Sequence, residues 1–165
     1  MITINSDGTV TGGTLKSSGN IIQSVSLPFD AYGSDGSGLR ADSGTYTDSG
    51  MEISITPTVS TSKILVISTG TSFGYKTSSD NVDYLMRLIA DHSGISTLEL
   101  RETEVRKTGE GSATSRLFDS WSMIANHDHN TTNEITYKVQ HKTSAATYAW
   151  ARYKGGDMHL LEIAT

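Results

Sequence analysis

The sequence predicts an all-β chain, a jelly-roll-like antiparallel β-sandwich of about 8–10 strands with an extended N-terminal arm. Three observations lead there. Ser, Thr and Gly number 23, 22 and 16 among 165 residues, and Thr favours strands while Ser and Gly favour turns. Apolar segments of strand length recur between turn signals, which separates the chain from a disordered one. No segment carries a helical stripe that outweighs its strand reading.

Residues 1–20 read as the arm. Ser6-Asp7-Gly8 and Thr11-Gly12-Gly13 are turn clusters, and Ile2, Ile4, Val10 and Leu15 are too scattered to make a core element. Such an arm moves freely in water, so a neighbouring chain is its expected anchor. The folded domain is expected over 21–165. Its first strand, 21–27, is apolar and β-branched and is expected to stop at Pro28. A Gly/Ser-rich loop follows at 32–38. Over 51–55, Met51, Ile53 and Ile55 share one face, and Pro57 ends the strand.

Residues 63–73 open with Ile64-Leu65-Val66-Ile67, apolar on both faces, which predicts a central strand. Residues 82–90 set Val82, Tyr84, Met86 and Leu88 on one face. Leu85, Leu88 and Ile89 also fit helical spacing, and the all-β context decides for a strand. The mixed charges of 98–105 suit an edge strand. Residues 116–126 place Leu117, Trp121, Met123 and Ala125 together, with Trp121 as a core anchor. Residues 134–142 alternate most cleanly, with Ile135, Tyr137, Val139 and His141 inward. Two strands, 147–153 and 157–163, close the chain around a Gly155-Gly156 turn.

Composition also excludes. There is no Cys, so disulfides, thiolate metal sites and cysteine nucleophiles are out. A net charge of −5 leaves no basic surplus for phosphates, so no nucleic-acid partner is expected. No run approaches the ~18 apolar residues of a membrane span. The N-terminus lacks the basic-then-apolar order of a secretion signal. No nucleophile elbow, phosphate-binding loop or dinucleotide fingerprint appears, so no catalytic residue and no enzyme activity are expected.

His127-Asp128-His129 is the most suggestive local group. Two His at i and i+2 share a strand face and suit a metal, but Asn126, Asn130, Thr131 and Thr132 around them read as an exposed hairpin loop. No metal or other cofactor is expected. His92, before Ser93-Gly94, reads as a turn residue, His141 as a core histidine with a satisfied ring nitrogen, and His159 as a residue beside a subunit interface. Asp30, Asp35 and Asp42 lie in a loop whose spacing matches no calcium loop. Glu99, Glu102, Glu104 and Glu110 alternate with Arg101, Arg106 and Lys107, a pattern of surface ion pairs rather than paired catalytic acids. Tyr148, Trp150 and Arg152 share one strand face. Such an aromatic/Arg cluster suits a subunit interface, or alternatively a sugar platform.

Several segments in order resemble a family of tailed-phage virion structural proteins. Met51-Glu-Ile-Ser-Ile-Thr-Pro-Thr-Val-Ser-Thr-Ser-Lys-Ile-Leu-Val66 resembles its strand, Thr-Pro, Ser-rich turn and Ser-Lys-Ile-Leu-Val hairpin. Thr136-Tyr-Lys-Val-Gln140 resembles a strand near its end, and Met158-His-Leu-Leu-Glu-Ile163 its closing strand. Residues 24–48 resemble its start, with a Gly-rich insertion that departs from the compact form. The likeness covers 21–165. It implies a jelly-roll-like, usually trimeric domain displayed on the virion, and it carries no catalytic residue. The expectation is a homotrimeric capsid decoration (cement) protein on the outer capsid surface. Its partner would be the major capsid protein, met through the arm residues Ile2, Ile4, Val10 and Leu15. Tyr148, Trp150 and Arg152 are the candidate trimer interface. The alternative is a tail-fibre or receptor-binding tip that holds host glycan near Tyr32, Tyr75 and Trp150.

Overall fold

The computed structural model describes residues 3–4, 10–11, 19–29, 40–41, 44–76, 82–92, 97–107, 115–144 and 149–165. Its strands are β1 (Thr3–Ile4), β2 (Val10–Thr11), β3 (Ile21–Phe29), β4 (Arg40–Ala41), β5 (Thr47–Ile55) and β6 (Lys63–Lys76). They continue as β7 (Val82–His92), β8 (Leu98–Lys107), β9 (Ser115–Asp128), β10 (Ile135–Thr143) and β11 (Ala149–Ile163). One sheet has the order β5-β10-β7-β8 and the other β3-β11-β6-β9, with β4 also paired to β11. All pairings are antiparallel. Among the eight long strands, only β7 and β8 follow one another within a sheet; every other step crosses the sandwich. That alternation is the jelly-roll path.

The period-two pattern sets the core. On β10 burial alternates along the whole strand, with Ile135, Tyr137, Val139 and His141 inside. Tyr84, Met86 and Leu88 of β7 lie beside them. The opposite sheet contributes Ile64, Val66, Trp121, Met123, Met158 and Leu160. The segment at 82–90 is a strand, because its competing helical residues split: Leu88 is buried in the core and Leu85 is not. β6 is central, between β11 and β9, and β8 is an edge, as the charge pattern required.

Two boundaries differ from the sequence expectation. Pro28 does not stop the first strand; β3 runs on to Phe29, and Pro28 pairs with Asp157. β3 is an edge strand, where a residue without an N–H breaks no inner ladder. Gly155-Gly156 is not a turn. β11 is one strand of 15 residues, and the register against β6 slips between Tyr153 and Gly155, so Lys154 is the extra residue of a bulge. Glycines beside a bulge look like a hairpin signal in sequence because both use the same backbone freedom. A second irregularity lies in β5, where the register against β10 shifts between Lys138 and Gln140. Gly50 there has φ +82°, a conformation that favours glycine.

In the N-terminal segment, β1 and β2 pair with one another, Ile4 opposite Val10. Ile2 and Leu15 lie outside the described residues.

The fold yields a paired prediction. Leu160 is fully buried, whereas Ile124, on the same sheet, is 58% exposed. Leu160→Ala should cost about 2–5 kcal/mol in urea unfolding, and Ile124→Ala within about 0.5 kcal/mol. Equal costs would mean the inner and outer faces are misassigned.

Candidate functional site

One end of the sandwich gathers the β5–β6 turn (56–62), the β9–β10 turn (129–134), the start of β3 and the ends of β7 and β11. Its centre is Glu162, which β11 points inward and which is fully buried. Five donor groups surround its carboxylate. Thr58 N–H lies 3.0 Å from both oxygens, and Val59 N–H 3.0 Å from Oε1. Thr58 Oγ1 lies 3.1 Å from Oε2, Gln23 Nε2 2.7 Å from Oε2, and Ser62 Oγ 2.6 Å from Oε1. Gln23 Nε2 also donates to Thr56 O at 2.8 Å, which ties β3 to the same turn.

The turn sequence explains the cradle. Pro57 ends β5, and Thr58 and Val59 then present their N–H groups to the carboxylate rather than to a ladder. Burial alone would raise the Glu162 pKa. The hydrogen bonds from Ser62, Thr58, Gln23 and Val59 outweigh it and bring the group down to about 2. Glu162 is therefore ionised at neutral pH.

The second part of the site is a layer of rings. His127, on β9, is buried, and its Nδ1 lies 2.8 Å from Tyr137 Oη on β10, so the bond joins the two sheets. The His92 ring centroid is 6.3 Å from that of His127, and the His129 centroid 6.2 Å. His129 Nε2 lies 3.2 Å from Ser62 Oγ, and its Nδ1 2.8 Å from Thr131 O and 3.3 Å from Thr131 N. His129 thus links the two turns, and through Ser62 it adjoins Glu162. Burial, then the charges of His129 and His92, hold the His127 pKa down at about 4.

These positions correct two sequence expectations. His127 and His129 are not solvated loop residues; both are 4% exposed. His92 is not a turn residue but the buried last residue of β7. The polar neighbours misled because Asn126, Asp128 and Asn130 do face solvent, on the alternate positions. Among the described residues no group of three or more His, Cys, Asp or Glu is placed to hold a metal ion. Ser62 and His129 stand at a nucleophile–base distance, but Ser62 is 3% exposed and its hydroxyl lies against the Glu162 carboxylate.

The remaining candidates fall elsewhere. His141 is a core residue whose Nδ1 lies 2.8 Å from Tyr84 Oη; its Nε2 has no partner among the described residues. Burial lowers its pKa to about 4. His159 is exposed on β11. Glu99 pairs with Arg87 at 3.1 Å, and Glu102 accepts from the Tyr46 hydroxyl. The Tyr46 ring lies between the Arg87 guanidinium, 4.1 Å from its centroid, and Lys142 Nζ, at 4.2 Å. Glu99 is thus in a surface ion pair, but with Arg87 of β7 rather than with the cations that alternate with it in sequence, and Tyr46 carries no sequence signal of its place in the network. Trp150 pairs with Tyr75 in the ladder, and Arg152 with Phe73 and Arg40. Tyr148, Tyr32, Asp30, Asp35, Asp42 and Glu110 lie outside the described residues.

No family model and no curated protein matches the chain. Among solved structures, a chain from the infectious bursal disease virus Gt strain is similar over 98% of this chain and 42% of its own length. The identity there is 12% and the TM-score 0.47. A chain from the Gx strain of that virus is similar over 87% of this chain and 33% of its own length, at 13% identity and a TM-score of 0.36. The chain thus spans less than half the length of either. At these scores the likeness adds nothing to the topology described above.

Linkage gives the site a pH signature. The Glu162 pKa is depressed from 4.5 to about 2, so its stabilisation is present above about pH 4.5 and lost as pH falls towards 2. His127 and His141 are depressed from 6.5 to about 4, so theirs is present above pH 6.5 and lost between 6.5 and 4. Urea unfolding across pH 7.5 to 2 should therefore show two acid limbs. Glu162→Gln should cost about 2–4 kcal/mol at pH 7 and flatten the lower limb only. An unchanged lower limb would remove Glu162 as its source.

Proposed function

We propose that the chain is a virion structural protein, a homotrimeric capsid decoration (cement) protein that binds the outer surface of the assembled major capsid protein lattice. The observation that carries this reading is the meeting of two resembling segments. The Thr-Pro and Ser-rich turn of 56–62 and the closing Glu-Ile of 162–163 come together, with Glu162 bonded to Thr58, Val59 and Ser62. The residues that carry the resemblance thus form one unit of the fold, which supports the reading. The jelly-roll path supports the same reading, as this architecture is used in viral capsid domains.

The mechanism is mass action. A protein that binds only the assembled shell stabilises that shell by the free energy of binding. The arm, with Ile2, Ile4, Val10 and Leu15, supplies contacts to the lattice or to an adjacent trimer by strand addition to a free edge. A closed threefold assembly suits icosahedral junctions, and Tyr148, Trp150 and Arg152 are its candidate interface. The reading includes no enzyme activity, no cofactor, no nucleic-acid partner and no membrane partner. A tail-fibre or receptor-binding tip that holds host glycan near Tyr32, Tyr75 and Trp150 is the second reading; the pairing of Tyr75 with Trp150 in the β6–β11 ladder favours it.

Cryo-electron microscopy of purified virions tests the choice. Density for this chain over threefold and quasi-threefold capsid positions is expected, with residues 1–20 touching neighbours. Deleting those residues should abolish capsid binding and leave the sandwich folded. Density at the tail alone would overturn the capsid assignment.

A further inference from the structure

The three histidines at the closed end have no part in the virion reading, yet they are buried together. We propose that the buried rings of His92, His127 and His129 form an acid-sensitive catch, in which protonation of His127 releases the β9–β10 turn from the β5–β6 turn before the two sheets separate. Virion membership is not needed for it; the catch belongs to the single domain.

The geometry supports it in three ways. First, the rings come from both sheets: His92 from β7 and His127 from β9, with His129 just beyond β9. Charge on them therefore pushes across the sandwich seam. Second, the His129 side chain is bonded to both turns, to Thr131 on one and Ser62 on the other. Its Nδ1 lies close to the Thr131 carbonyl and N–H and its Nε2 close to the Ser62 hydroxyl, so a shift of this segment breaks both turns' link at once. Third, His127 has no room to take up charge in place. Its Nδ1 is held by Tyr137 Oη, and its ring lies within 6.3 Å of both neighbouring rings.

The surrounding charges do not neutralise a proton on His127. On β6, Lys63 pairs with Asp128 of β9 at 3.1 Å, where both are solvent-exposed. On β7, Asp91 lies 3.8 Å from Lys138 of β10. Tyr137 of β10 is neutral at these pH values, since burial raises its pKa. Among the described residues Glu162 of β11 is the one buried carboxylate, and five donor groups already occupy it. A proton on His127 is opposed by burial, then by His129 and His92, with only Asp128 pulling the other way. Separation of the rings into water removes that repulsion.

The test is residue-level hydrogen exchange by NMR on the full chain, read as protection factors from pH 7.5 to 4, with the ring titrations followed in parallel. Amides of Thr58, Val59 and Thr131 should lose at least tenfold in protection together, at a pH above that at which β6 and β10 amides respond. The midpoint should coincide with His127 ring titration. In His127→Gln it should fall by at least one pH unit, and in His141→Gln, which alters the buried histidine outside the cluster, it should stay in place. Should His127→Gln fail to fold, the coincidence of ring and turn midpoints in the unaltered protein decides alone. Turn protection lost only with global unfolding, or at a midpoint unrelated to His127, would overturn the catch.

Discussion

A buried carboxylate, with no cationic partner among the described residues, organises one end of this molecule. Taking Glu162 out of water costs several kcal/mol. Nothing repays that except hydrogen bonds to the charged form, each worth roughly 1.5–3 kcal/mol. Five donor groups from β3 and the β5–β6 turn converge on it. Among the described residues the Thr58 and Val59 N–H groups have no other acceptor, so turn and carboxylate satisfy each other. Because β5 and β6 belong to opposite sheets, holding their connection to the end of β11 also fixes how the sheets meet. The wider fold depends on this, since almost every step of a jelly roll crosses the sandwich.

Around that point two buried histidines are each held by a tyrosine hydroxyl. His127 bonds Tyr137 across the seam, and His141 bonds Tyr84 within one sheet. Each histidine is neutral at physiological pH because burial opposes the charge. The apolar core between them, from Met51 to Leu160, supplies the bulk of the stabilisation. The polar pairs supply register, since a one-residue slip would strand them without partners. The domain is thus built to be firm at neutral pH and progressively less so in acid.

The sandwich was legible in the sequence because its strands alternate. Ile135, Tyr137, Val139 and His141 alternate with polar residues, and only one strand face can be buried. Edge and central roles were legible too, from the charges of 98–105 and the double-sided apolar start of 63–73. The misreadings share a cause. Pro28 and Gly155-Gly156 are local punctuation, and their meaning depends on tertiary position: an edge strand tolerates the first, and a bulge employs the second. The histidines were hidden by their neighbours, as Asn126, Asp128 and Asn130 are the exposed half of an alternating segment that includes His127 and His129. Strict period-two counting from Trp121 and Met123 through Ala125 would have placed His127 inside. Glu162 stood within a quoted segment, but no sequence signal marks a lone Glu as buried. Its role needs residues 104 apart, as with Thr58, to be brought together.

The central claim is that Glu162 and the turn act as one unit, and a double-mutant cycle between Glu162→Gln and Ser62→Ala measures it most directly. At pH 7 the two substitutions should be non-additive, with a coupling of about 1–3 kcal/mol. Additivity within about 0.3 kcal/mol would contradict the account, and would leave the buried carboxylate as a passenger in an end held together by apolar packing alone.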